Sequence, residues 1–355
     1  MNPGFWKDRR VFVTGHTGFK GSWLSLWLAR LGARVCGFAL DPPTCPSLFE
    51  SARVAGDMDS TIADIRDFSK VRAALEKSAP EIILHLAAQA IVRQSYEQPL
   101  ETFATNLMGT VNLLEAARTC PQTRAIVVIT SDKCYENQEW VWPYRENEPL
   151  GGHDPYSASK GCQELAAAAF RRSFFEKTGV ALATARAGNV IGGGDWARDR
   201  LVPDVARAIA AGQPAKIRNA AAVRPWQHVL DPLHGYLVLC ERLVENGPAF
   251  AGAWNFGPLD TGAVPVCTLA DLFTRAMGHG ASWKSDPPPQ AVHEAHLLRL
   301  DASKARARLD WRPRLSFEES VGWTALWYKA FIAGQDLREF TTDQISRFQD
   351  RAAQN

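Results

Sequence analysis

The sequence predicts an α/β fold: a doubly wound parallel sheet covered by helices over residues 1–190, then a smaller mixed lobe over 191–355, with some chain crossing back. Three observations predict it. Short, almost wholly apolar runs alternate with helical stretches through the first half, as expected for strands buried on both faces. A glycine-rich turn joins the first such run to the first helix. Beyond about residue 190 the alternation fades, and Pro, Gly, Trp and Arg punctuate the chain. A length of 355 residues fits two lobes better than one small domain.

The elements follow in order. Val11–Val13 is the first strand, and a helix runs from about Ser22 to Leu31, where Gly32 stops it. Arg34–Ala39 is the second strand. Val71–Ser78 reads as helix, Glu81–Leu86 as a buried strand and Leu100–Arg118 as one long helix. Ala125–Ile129 has almost no polar residue and reads as a central strand. Gln163–Lys177 is helical, and Ala181–Arg186 is a further strand. In the second lobe, an apolar helix spans about Leu230–Leu243, and Asp301–Trp311 reads as a structural helix.

The turn Thr14–Gly21 carries Gly-x-x-Gly-x-x-Gly between strand and helix, the setting of a Rossmann-type dinucleotide site. Gly15 permits the sharp turn, Gly18 lets backbone approach a pyrophosphate, and Gly21 lets helix and strand pack closely. The helix N-terminus offers N–H groups to phosphate. Asp41 lies 20 residues after Gly21. A carboxylate there accepts from ribose hydroxyls and repels a 2′-phosphate, which favours NAD over NADP. Asp64, after the third strand, is expected near adenine.

Tyr156 and Lys160 are four apart, so a helix puts them on one face. The neighbouring ammonium is expected to favour the phenolate and make Tyr156 a base. Thr130-Ser131-Asp132-Lys133 ends the apolar strand, where active groups of open α/β sheets gather. Ser131 is expected to hydrogen-bond the substrate hydroxyl that Tyr156 deprotonates. Asp132 and Lys133 add an acid/base pair at the same strand end. Asn189 follows a strand and is a candidate for sugar or phosphate oxygens. Arg218 and Arg224 are candidates for a diphosphate, because a guanidinium fork matches phosphate oxygens. His228 closes the stretch Arg224–His228. His293 and His296 have no third ligand nearby in sequence, so no metal site is expected.

Composition narrows the class. Hydrophobic residues make up 46% and charged residues 22%, enough for a large core. A net charge of +2 creates no field that would draw the chain to nucleic acid or a membrane. The seven cysteines are odd in number and form no Cys-x-x-Cys, which suits a reducing cytoplasm. Met1–Arg10 has no apolar run of a secretory signal, and no stretch reaches the ~18 apolar residues of a membrane helix.

Taken together, Thr14–Gly21, His85-Leu86-Ala87-Ala88-Gln89, Asn106 and Tyr156–Lys160 resemble the extended short-chain dehydrogenase/reductase superfamily. Within it the chain is similar to the CDP-glucose 4,6-dehydratase family. The runs that carry this are Thr17–Leu24, Ser131–Asn137, Gly192-Gly193-Gly194-Asp195-Trp196 and Arg224–Val229. Related dTDP-glucose dehydratases have Thr-Asp-Glu where this chain has Ser131-Asp132-Lys133.

The resemblance implies NAD bound by Gly15, Thr17, Gly18, Phe19, Lys20, Gly21, Asp41, Asp64, Ile65, Leu86, Ala87, Ala88, Gln89, Asn106, Thr130, Tyr156 and Lys160. It implies a nucleotide-diphosphate sugar, CDP-glucose, held by Gln89, Ser131, Asn189, Arg218, Arg224 and His228. It also implies a homodimer or tetramer, built through the helices near Leu100 and Gln163. The activity implied is oxidation at the sugar C4, loss of water across C5 and C6, and hydride return to C6. Ser131, Tyr156 and Lys160 suffice for oxidation. Elimination needs an added acid and base, here Asp132 and Lys133. An NDP-sugar 4-epimerase, a dehydratase of another NDP-hexose and an inactive NAD-binding regulator stay open as alternatives.

Overall fold

The computed structural model describes residues 1–258, 263–278, 280–287 and 297–353. Its strands are β1 (Arg10–Thr14), β2 (Arg34–Ala39), β3 (Met58–Ile62), β4 (Ile82–His85), β5 (Ala125–Ile129), β6 (Ala181–Ala187), β7 (Asn189–Ile191), β8 (Ala215–Ile217), β9 (Val223–His228), β10 (Gly252–Phe256), β11 (Ala263–Pro265) and β12 (Trp283–Ser285). Seven of them form one parallel sheet in the order β10-β6-β5-β4-β1-β2-β3. The order reverses beside β1, which opens a crevice at the carboxyl ends of β1 and β4, where such sheets bind ligands.

The apolar strands explain the layering. Successive side chains point to opposite faces. Val11, Val13, Ile82, Leu84, Val127 and Ile129 join one core; Phe12, Ile83, Ile126 and Val128 join the other. The first core is closed by α1 (Phe19–Arg30), through Trp23, Leu24 and Trp27. The second is closed by α2 (Phe68–Ser78), α3 (Pro99–Phe103, Ala104–Met108 and Gly109–Ala117 running on as one helix) and α4 (Pro155–Phe170).

Two elements depart from the expectations. The long helix read at Leu100–Arg118 contains a π turn, Ala104–Met108, which turns Asn106 fully inward. The helix read from Gln163 already starts at Pro155: Asp154 caps it, its Oδ1 accepting from Ser157 N at 2.9 Å, and proline suits the first turn. The second half of the chain returns to the large sheet. There β10 pairs with β6 in the register Trp254↔Ala185, and α5 (Leu230–Asn246) packs under β5 and β6. The remaining strands make two small sheets, β11-β9-β7 and β12-β8, over the crevice side.

At the start of α5, Asp231 is wholly buried, with Oδ1 accepting from Arg314 N at 2.7 Å. Burial pushes its carboxyl from 3.8 up to about 7. The folded chain therefore holds this proton more tightly than the unfolded one. The resulting contribution to stability is complete below the unfolded value of 3.8 and is lost as pH rises through about 7. Asp231→Asn removes that dependence. From acid to neutral pH, stability should shift in favour of the variant relative to the parent by up to about 4 kcal/mol. Urea unfolding at a series of pH values reads the shift; parallel curves for the two proteins would exclude it.

Candidate active site

The crevice is a cleft of about 700 Å³. Its floor is the glycine-rich turn. Gly15 has φ +74°, and a Cβ there would sit 2.8 Å from Ala87 N at the end of β4. A Cβ on Gly21 would stand 2.0 Å from Gly15 O, so turn and helix approach this closely only with glycine. Gly18 is the N-cap of α1; no side chain caps the helix, and no acidic residue lies in its first turn. Thr17 Oγ1 donates to Leu40 O at 2.8 Å and ties the turn to the end of β2. This cradle fits a dinucleotide pyrophosphate: it has close backbone, free helix N–H groups and no competing carboxylate. Gly21→Ala is expected to abolish dinucleotide binding and lower Tm by several degrees. Gly56→Ala, where a Cβ meets nothing within 4 Å, serves as the control. Nucleotide content after purification and a thermal melt read both effects.

Behind the turn, Thr14 Oγ1 accepts from Leu86 N and Ala87 N, each at 3.1 Å, and lies 2.7 Å from His85 Nδ1. His85 Nε2 lies 2.9 Å from Thr110 Oγ1. Burial lowers this imidazole to about 3, so it is a neutral strut between β1, β4 and α3.

The strand end and the helix start meet across the cleft. Ser131 Oγ donates to Asp132 Oδ1 at 2.9 Å and accepts from Lys133 N at 3.3 Å. Burial raises the Asp132 carboxyl above the usual carboxylate range, against the opposing effects of Lys133, Ser131, Arg224 and Lys20. Tyr156, the second residue of α4, is buried, and its backbone N–H donates to Ser95 Oγ at 3.1 Å. Lys160 Nζ stands 5.9 Å from the Tyr156 ring centroid. Burial lowers Lys160 to about 7, with the charge of Lys20 acting the same way. Lys20 is itself lowered to about 8 by burial and then by Arg200.

One expectation is overturned here. Tyr156 is not drawn toward the phenolate; burial pushes it up to about 12, and the Ser131 hydrogen bond opposes this only in part. Removing a phenol from water disfavours its charged form by more than the Ser131 hydrogen bond and the Arg200 charge can offset.

Most of the expected site residues line this one cleft: Gly15, Thr17, Gly18, Phe19, Lys20, Gly21, Asp41, Asp64, Ile65, Leu86, Ala87, Ala88, Gln89, Thr130, Ser131, Asp132, Lys133, Tyr156, Lys160, Asn189, Arg218 and Arg224. Several of them already have partners. Asp64 grips Arg66, with Oδ2 to Nη2 at 2.6 Å. Gln89 Nε2 donates to Thr102 Oγ1 at 2.9 Å, and its Oε1 accepts from Ile91 N. Arg218 Nη1 donates to Asp199 Oδ1 at 2.5 Å.

Two residues do not reach the cleft. Asn106 is behind it: Oδ1 accepts from Gln89 N at 2.8 Å, and Nδ2 donates to Gln89 O at 3.0 Å and Ser159 Oγ at 2.8 Å. It holds the backbone of Gln89 rather than a ligand. His228 is buried between Trp23 and Trp323, with ring centroids 6.1 and 5.8 Å away, and burial lowers it to about 3. It is a neutral core residue, not a substrate ligand.

Sequence reasoning missed Asp195 and Arg200, which pair at 3.0 Å and line the cleft opposite Lys20. Asp195 belongs to the quoted Gly192–Trp196 run, a signal that was there to use. Arg200 follows Arg198-Asp199 and reads in sequence only as a solvated charge. Arg93 was missed too; it pairs with Asp199 at 3.2 Å and lines the same cleft. Among the described residues no three His, Cys, Asp or Glu gather as metal ligands do, and His293 and His296 lie outside the described residues.

Comparison with known proteins agrees with this architecture. Residues 12–324 match the family described as GDP-mannose 4,6 dehydratase. The CDP-glucose 4,6-dehydratase of Salmonella typhimurium is 54% identical over 353 residues, 98% of each chain. A dTDP-glucose 4,6-dehydratase of Xanthomonas campestris is 29% identical over 332 residues, covering 89% of this chain and 92% of that one. Among solved structures, a UDP-glucose-4-epimerase from Stenotrophomonas maltophila with bound NAD superimposes with a TM-score of 0.79 at 24% identity, covering 92% of this chain and 99% of the other. The chain belongs to the GDP-mannose 4,6 dehydratase family, within the extended short-chain dehydrogenases/reductases.

Proposed function

We propose that this protein converts CDP-glucose to CDP-4-keto-6-deoxyglucose, with NAD held on the glycine-rich turn. The observation that carries the reading is the grouping of Ser131, Asp132, Lys133, Tyr156 and Lys160 on one cleft. The 54% identity to a CDP-glucose 4,6-dehydratase supports the choice of CDP-glucose. NAD supplies a hydride acceptor at C4 that serves as the hydride donor at C6 within one turnover.

The chain's own groups do the rest. Ser131 hydrogen-bonds the C4 hydroxyl and Tyr156 takes its proton. Because burial keeps the phenol protonated in the resting protein, its ionisation has to accompany binding. Lys160, lowered to about 7, is the neighbouring group that exchanges protons near neutrality. Oxidation at C4 acidifies the C5 proton; Lys133 removes it and gives a proton back to C5 as the hydride reaches C6. Asp132, whose carboxyl burial raises, gives a proton to the C6 hydroxyl as it leaves as water. Asn189, Arg218 and Arg224 face the sugar diphosphate. For Arg218 this means leaving Asp199.

The test is incubation with CDP-, dTDP-, UDP- and GDP-glucose, followed by mass spectrometry. Loss of one water from the CDP-sugar in preference to the others is expected. An epimerase would return a product of unchanged mass, and an inactive regulator would return the substrates.

We further propose a cytoplasmic homo-oligomer. All seven cysteines are unpaired, and no helix among the described residues is long and apolar enough to cross a membrane. Leu100 and Met108 of α3 and Leu165 of α4 are exposed, and the two helices pack side by side, so their apolar faces suit a second copy. Sedimentation of the parent and of Leu100→Glu/Leu165→Glu reads this: a monomeric parent contradicts it.

A further inference from the structure

The five proposed catalytic side chains come from two separate supports, the end of β5 and the start of α4. One buried carboxylate joins them. Glu164 lies four residues after Lys160 and eight after Tyr156, on the same side of α4. Its side chain and that of Arg186 are each only 3% exposed. Glu164 Oε1 accepts from Thr130 Oγ1 at 2.5 Å; Oε2 accepts from Thr184 Oγ1 at 2.6 Å and Arg186 Nη2 at 2.7 Å. None of the reaction steps uses it.

We propose that Glu164 is a positioning residue that fixes Ser131 of the β5 end against Tyr156 and Lys160 of α4. The inference rests on the functional reading above for its kinetic consequence, and on geometry alone for its structural one. Thr130 precedes Ser131. Its backbone N–H already donates to Ala185 O at 3.0 Å, and its hydroxyl is held by Glu164. Residue 130 is therefore anchored to β6 through the main chain and to α4 through the side chain.

The other carboxylate oxygen is fixed just as firmly. Arg186 Nη1 donates to Tyr135 Oη at 2.6 Å and Glu146 O at 3.1 Å, and Tyr135 Oη donates to Asn255 Oδ1 at 2.8 Å. The guanidinium cannot follow a moving carboxylate without breaking this chain. A carboxylate is the group that accepts three such bonds on two oxygens. In Glu164→Gln the amide oxygen must face Thr184 and Arg186, leaving an NH₂ toward Thr130. Thr130 then has to accept where it donated, and its anchor to α4 loosens.

The experiment compares Glu164→Gln, Thr130→Val, the pair combined, and Thr184→Val as the control, since Thr184 touches Glu164 on the side away from Ser131. Glu164→Gln is expected to lower kcat by about 10- to 100-fold with KM little changed, the signature of lost alignment. Thr130→Val should do the same, and the double variant should be no worse than the worse single, because both cut one connection. Thr184→Val should lower Tm and leave kcat within about twofold. Crystal structures of the parent and Glu164→Gln should differ in the Ser131–Tyr156 separation. Equal kcat in all four proteins, or activity lost only in step with Tm, overturns the inference. If Glu164→Gln does not fold, Thr130→Val decides, because it leaves no buried charge unpaired. If the parent turns over none of the four nucleotide glucoses, the functional reading fails and the crystallographic arm decides alone. An unchanged Ser131–Tyr156 separation then overturns it.

Discussion

Tyr156→Phe lowers kcat by about 10²- to 10⁴-fold, the usual worth of a positioned general base. The effect is expected to fall on kcat rather than KM, because the phenol acts as C4 loses its proton and contributes little to holding the nucleotide. The fold should survive. Tyr156 is buried at the cleft wall, and phenylalanine keeps the ring while removing only the hydroxyl. Since burial already holds the phenol up at about 12, the variant loses no folded-state charge, and its Tm should stay close to that of the parent. Steady-state kinetics with CDP-glucose and a thermal melt check both halves. A variant with kcat near the parent's would remove Tyr156 from the mechanism.

The second large effect separates oxidation from elimination. Lys133→Ala is expected to lower formation of the 4-keto-6-deoxy product by about 10²- to 10⁴-fold while C4 oxidation continues. Quenched reactions should then contain sugar oxidised at C4 with its C6 hydroxyl in place. Asp132→Asn should stop the reaction at the same point, because it removes the proton for the leaving hydroxyl; burial, which raises this carboxyl, favours the protonated form that donates it. The two variants differ from Tyr156→Phe, which stops at the unoxidised sugar. If Lys133→Ala forms dehydrated product at the parent's rate, the C5 base is another residue, and Lys20, half-buried on the same cleft and lowered to about 8, becomes the group to test.

How far the sequence carried this account depends on what kind of signal each residue leaves. The glycine turn was legible because its requirements are local: a positive φ at Gly15 and no room for a Cβ at Gly21. The sheet was legible because strands buried on both faces are apolar at every position, as Ala125–Ile129 is. Tyr156 and Lys160 were legible through helical spacing. Their proton affinities were not, because spacing records which charges are near and not how much water is excluded. His228 looked like a site residue because it ends an unusual run. It shares a strand with Arg224 and Trp226, which do line the cleft, but lies past the cleft's edge, under Trp23. Asn106 was placed through the family resemblance, which marks its position but not its partners; it lies in a π turn and bonds Gln89 and Ser159. That β10 pairs with β6 and that Glu164 pairs with Arg186 depend on contacts between residues far apart in sequence, and no local pattern announces either partner.

The central claim is that one cleft oxidises the sugar at C4 and returns the same hydride to C6. CDP-glucose carrying deuterium at C4 tests it most directly. The account predicts CDP-4-keto-6-deoxyglucose with the deuterium on the C6 methyl group. Deuterium retained at C4 of an epimer, or lost to solvent, would contradict it.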